Sequence, residues 1–162
     1  MRFIFIIFIF LFSTIQTNAQ SSNGYNFIKD TLRIPEGNKV LEGESVSAEL
    51  KKGYSFKLFK TSNNKYYFKI IISENLYFNK MDALEIISGT KSIYFKDAVN
   101  YELDDHTGYY LVEVLKNYIG TLKDEGVTGI VFNNTETTYT KKECNQVKQM
   151  AKYFYESISV KK

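Results

Sequence analysis

The chain has 162 residues, 24% of them charged, with a formal net charge of +3. Basic and acidic residues are interspersed, which argues against the clustered basic face of a nucleic-acid-binding protein. A single cysteine, Cys144, excludes an internal disulfide framework.

The first residues have the three-part layout of a secretory leader. Met1 and Arg2 form a short positive start, Phe3 to Phe12 is unbroken Phe, Ile and Leu, and Thr17-Asn18-Ala19 places small residues before a cut at Gln20. A membrane-spanning helix needs roughly 20 apolar residues, about twice this run, so a stable membrane anchor is not expected. No Cys follows the run to accept a lipid. The expectation is a signal peptide over residues 1–19 and a product in the periplasm or outside the cell. The leader style, and the abundance of residues with AT-rich codons such as Phe and Tyr (13 each), point to a bacterial source.

Residues 20–43 are polar and broken by Asn23-Gly24, Pro35-Glu36-Gly37 and Gly43. They read as an extended N-terminal arm that docks through Phe27, Leu32 and Ile34. Residues 44–162 read as a single α+β domain. From Glu44 the pattern turns to period two, the mark of half-buried strands. Val46, Ala48 and Leu50 alternate with polar residues, and Tyr54, Phe56 and Leu58 do the same. After the turn Ser62-Asn63-Asn64, the residues Tyr66, Phe68, Ile70 and Ile72 share one face. Leu84 and Ile86, then Ile93 and Phe95 across Ser88-Gly89-Thr90, make a further hairpin. Asp104 to Gly108 is a turn ahead of Tyr110, Val112 and Val114. Turns this close together predict antiparallel meanders rather than βαβ crossovers.

Tyr118, Ile119 and Leu122 fit a short helix stopped at Gly126, and 127–132 reads as a strand. Thr140-Lys141-Lys142-Glu143 is a capping box, because the Thr hydroxyl and the Glu carboxylate can satisfy each other's backbone amides. Behind it Cys144, Val147, Ala151, Phe154 and Ile158 form one apolar stripe at helical spacing, with Lys148, Lys152 and Glu156 on the wet side. The predicted fold is α+β: an antiparallel β-meander sheet of about six to eight strands packed by a C-terminal helix. A small β-barrel with a capping helix is the alternative.

Candidate chemistry is sparse. His106 is the only histidine, flanked by Asp104 and Asp105, yet Asp, Asp, Thr and Gly are what a hairpin turn requires. Cys144 would need His106 as its base, and its place on the stripe predicts burial as a small hydrophobe. The carboxylate pairs Glu42 and Glu44, Asp82 and Glu85, Asp104 and Asp105, and Asp124 and Glu125 fall at turns or element ends. Hydrolysis of a glycoside would require two carboxyls at about 5 to 9.5 Å across a cleft. No EF-hand loop, P-loop, GxSxG or HExxH occurs, so no cofactor, metal or catalytic residue is assigned. Tyr67, Tyr94, Tyr101, Tyr109, Tyr139, Tyr153 and Tyr155 could form a platform for a sugar or a peptide. The bland reading is that Tyr suits any pleated surface.

The resulting expectation is a secreted, non-catalytic binding or interaction module whose partner is a protein, a glycan or a small ligand. The alternatives are a barrel-type carrier of small apolar ligands and a hydrolase using carboxylates alone.

Overall fold

A computed structural model describes residues 24–34, 39–50, 54–73, 84–95, 99–104, 107–132 and 135–160. The leader and His106 lie outside these residues. The elements run β1 (Ile28–Ile34), β2 (Lys39–Glu49), β3 (Tyr54–Thr61), β4 (Tyr66–Ser73), β5 (Leu84–Ser88), β6 (Lys91–Phe95), β7 (Val99–Asp104), β8 (Thr107–Val114), α1 (Lys116–Glu125), β9 (Gly129–Phe132), β10 (Thr135–Thr138) and α2 (Lys141–Ser159). The α+β class, the antiparallel pairing and the closing C-terminal helix agree with the sequence.

The strands form two sheets rather than one. Six pair in the order β1-β2-β3-β4-β8-β7, and four in the order β10-β9-β5-β6. Every pairing is antiparallel. Among the described residues β1 does not pair with β7, so the six-stranded sheet stays open and the barrel alternative is not realised.

Period-two alternation sorts the larger sheet into two faces. Val46, Ala48, Phe56, Leu58, Phe68, Ile70, Tyr110 and Val112 point to one side. There they join Leu84, Ile86, Ile93, Phe95 and Ile130 of the smaller sheet in one buried core. Ile119 and Leu122 of α1 and Val147, Met150, Ala151 and Phe154 of α2 complete it. The capping box starts α2 as the sequence predicts: the Glu143 amide donates to the Thr140 hydroxyl, and the Thr140 amide donates to the Glu143 carboxylate.

Residues 20–43 were expected to form an arm. From Ile28 on, their described part is instead sheet: β1 pairs along its whole length with the first half of β2, and the expected domain start at Glu44 falls inside β2. Phe27 does dock, its ring 5.6 Å from Phe154 and 5.2 Å from Tyr153, and the Tyr25 hydroxyl donates to the Gln146 carbonyl. Leu32 belongs to a second buried cluster on the opposite face, with Phe59, Tyr67, Tyr109 and Leu111. Ile34 and Leu41 of the β1–β2 hairpin pack against that cluster.

Two details of the helices differ from the sequence reading. Cys144 is half-buried rather than buried, and the buried side chain in that first turn of α2 is Glu143, held there by the capping box. The strand read over 127–132 starts at Gly129, with Val127 already in the core and β10 following as an unexpected edge strand.

Candidate functional site

The β1–β2 hairpin and the β3–β4 turn enclose an open groove of about 740 Å³. β1 contributes Lys29, Asp30 and Thr31, β2 contributes Glu42, Gly43 and Glu44, and β3 with its turn contributes Lys60, Thr61, Ser62 and Asn64. Strand register sets the order of the charges. Lys29 faces Glu44, and Glu44 faces Lys60, which gives a row of plus, minus, plus across three strands. Among the described residues these three make no ion pair with one another. Exposed pairs gain only about 0 to 1 kcal/mol, so leaving them open costs the fold little.

The rim of the groove is rigid. The Thr61 hydroxyl bonds the Asn63 side chain and accepts from the Lys65 amide at 3.0 Å. Asn64 sits in the left-handed region at φ 60°, which Asn tolerates better than most residues, and its amide donates to the Thr61 carbonyl. Ser62 and Asn64 therefore offer polar side chains from a fixed turn.

Beside the groove, on the second face, the stretch of β2 between Leu41 and Glu49 carries small residues: Gly43, Ser45 and Ser47. The gap lets Lys57 reach over β2 to Asp30 on β1, with Nζ 2.7 Å from the carboxylate. The Ser45 hydroxyl donates to the same carboxylate at 2.7 Å. Partial burial pushes the Asp30 carboxyl up, but the Lys57, Ser45 and Thr31 hydrogen bonds and the Lys57 charge outweigh it, so it titrates below its ordinary value.

Lys69 stands opposite Lys57 in the β3–β4 register. Its Nζ lies 3.9 Å from the centroid of the Tyr109 ring, and no carboxylate forms an ion pair with it among the described residues. Burial lowers its pKa, the Lys57 ammonium lowers it further, and Asp30 opposes the change in part.

Of the residues singled out in the sequence, the structure brings Glu42 and Glu44 into the groove, both exposed. It scatters the other carboxylates. Glu85 hydrogen-bonds Tyr94 in the smaller sheet, and Asp124 pairs with Lys123 at 2.7 Å. Asp82 and Asp105, like His106, lie outside the described residues. Among the described residues no three His, Cys, Asp or Glu side chains cluster as metal ligands. The Cys144 thiol donates to the Glu125 carbonyl at 3.3 Å, and burial raises its pKa.

Among the described residues the tyrosines form no aromatic platform. Tyr67 and Tyr109 are buried, Tyr139, Tyr153 and Tyr155 are half-buried, and of these tyrosines with a described side chain Tyr94 alone is exposed. Sequence reasoning missed the Asp30–Lys57–Lys69 constellation. One signal for part of it was present: Lys57 and Lys69 sit six residues on either side of Asn63, so a hairpin centred there must pair them.

No protein-family model matches the chain, and no curated protein and no solved structure does so either. Among the described residues no helix is long and apolar enough to cross a membrane.

Proposed function

We propose that the protein is an exported binding module that holds a peptide bearing charges of both signs in the groove between the β1–β2 hairpin and the β3–β4 turn. The observation that carries this reading is the open row Lys29, Glu44, Lys60, whose charges form no ion pair among the described residues. Such a row gives specificity and speeds encounter more than it adds affinity. Among the described residues no aromatic ring lines the groove, so they offer no stacking surface for a sugar there. The carrier alternative needed a closed barrel, and the open six-stranded sheet removes its basis. The hydrolase alternative needed facing carboxyls, but Glu42 and Glu44 lie two apart along one strand and open to water.

A random-peptide display library selected against the protein tests the reading. Enriched peptides should carry acidic and basic residues. They should lose binding in Glu44→Lys and in Lys60→Glu, and bind more weakly as salt rises. No enrichment, or binding indifferent to both charge reversals, would overturn it. Export rests on the leader-like residues 1–19. The intact mass of protein recovered from outside the cytoplasm should correspond to a chain starting at Gln20.

A further inference from the structure

We propose that Lys69 is a nucleophilic amine, and that the second face of the six-stranded sheet takes small carbonyl compounds as imines on its Nζ. Three observations converge here. The β3–β4 register sets Lys57 and Lys69 directly opposite each other on one face, where side chains of paired residues lie within roughly 5 Å at Cβ. Asp30 is committed to Lys57, so one positive charge of the pair is neutralised locally, and Lys69 has no carboxylate in ion-pair contact among the described residues. Lys69 is half-buried, and its register neighbour on β8 is the buried Leu111.

A lysine becomes a nucleophile when desolvation and a neighbouring cation disfavour its charged form. The Tyr109 ring attracts the ammonium and fixes its position at 3.9 Å. Burial and the Lys57 charge act the other way, and Lys69 titrates below an ordinary lysine. Each unit of lowering raises the neutral fraction near pH 7 about tenfold. The neutral Nζ adds to the carbonyl carbon through its lone pair. The carbon–oxygen bonds then break, the oxygen leaves as water with both amine protons, and a C=N bond to Lys69 remains.

The test is glyoxylate with cyanoborohydride at pH 7, which reduces the imine to a stable secondary amine, followed by peptide mapping over time. Lys69 should label several-fold faster than the exposed Lys142 and Lys152 of α2. Lys57→Met should slow Lys69 labelling and Lys57→Arg, which keeps the charge, should preserve it. Labelling of Lys69 no faster than Lys142 and Lys152 in the unaltered protein would overturn the proposal without any variant. So would an unchanged rate in a folded Lys57→Met protein.

Discussion

Gly43 on β2 lies against the Lys60 carbonyl of β3, so near that a Cβ at this position would collide with the carbonyl oxygen and stand 2.9 Å from the Phe59 ring. The position faces Thr61 in register and is the last of β2 to pair with β3, beyond which β2 pairs with β1 alone. Only a residue without a side chain permits that approach. Gly43→Ala must push the two backbones apart, and overpacking of this kind costs about 1 to 3 kcal/mol. Gly120→Ala is the contrast. Its Cβ would rest in ordinary contact, 3.6 Å from the Tyr155 ring, inside α1. Helix propensity then favours the variant by up to about 1 kcal/mol. Urea midpoints of the two should move in opposite directions.

Phe154 and Lys152 test the docking of α2. Phe154 is fully buried, in ring contact with Phe27 and with Tyr66 at 6.1 Å. Phe154→Ala should cost about 3 to 5 kcal/mol, because both the transfer energy and the cavity count against it. Lys152 is exposed, and Lys152→Ala should change stability by less than about 0.5 kcal/mol. Equal, small shifts in the two chemical-denaturation curves would mean that α2 is not part of the core.

The Asp30–Lys57 pair sets a pH dependence. The folded Asp30 carboxyl titrates below its ordinary value, so the folded state binds fewer protons there than the unfolded state. Its contribution is therefore fully present above that value and is lost as the pH falls through the lower, folded one. Asp30→Asn should lower the melting temperature at neutral pH and narrow the gap to the unaltered protein under acid. A constant gap down to pH 2 would show that the carboxylate makes no net contribution.

Cys144 should react at an intermediate rate. The thiol is half-buried, donates to the Glu125 carbonyl and titrates above its ordinary value because of burial. The thiolate is the reactive form, so a raised pKa slows reaction at neutral pH. Ellman titration should proceed to one thiol in the native state, more slowly than after denaturation. Identical native and denatured rates would refute the shielding.

Much of the fold is written in local pattern. Alternation through Tyr54, Phe56 and Leu58 and through Phe68 and Ile70, about a turn at 62–64, is enough to set the β3–β4 hairpin and its register. Thr140 and Glu143 are enough to start α2, and the spacing of Val147, Ala151 and Phe154 sets its buried face. These features depend on neighbours within a few residues, which is where propensity, turn chemistry and capping act. Tertiary structure decided the rest. β1 has a single fully buried side chain, Leu32, and its short alternation of Ile28, Leu32 and Ile34 is broken by Asp30, so its pairing with β2 is what makes it a strand. The division into two sheets depends on β4 choosing β8 rather than β5, a contact between distant segments. The groove arises in the same way, as a row of charges from three strands that has no signature along the chain. Asp30 meets Lys57 across an intervening strand because Gly43 and Ser45 are small, and no local period records what a neighbouring strand leaves empty.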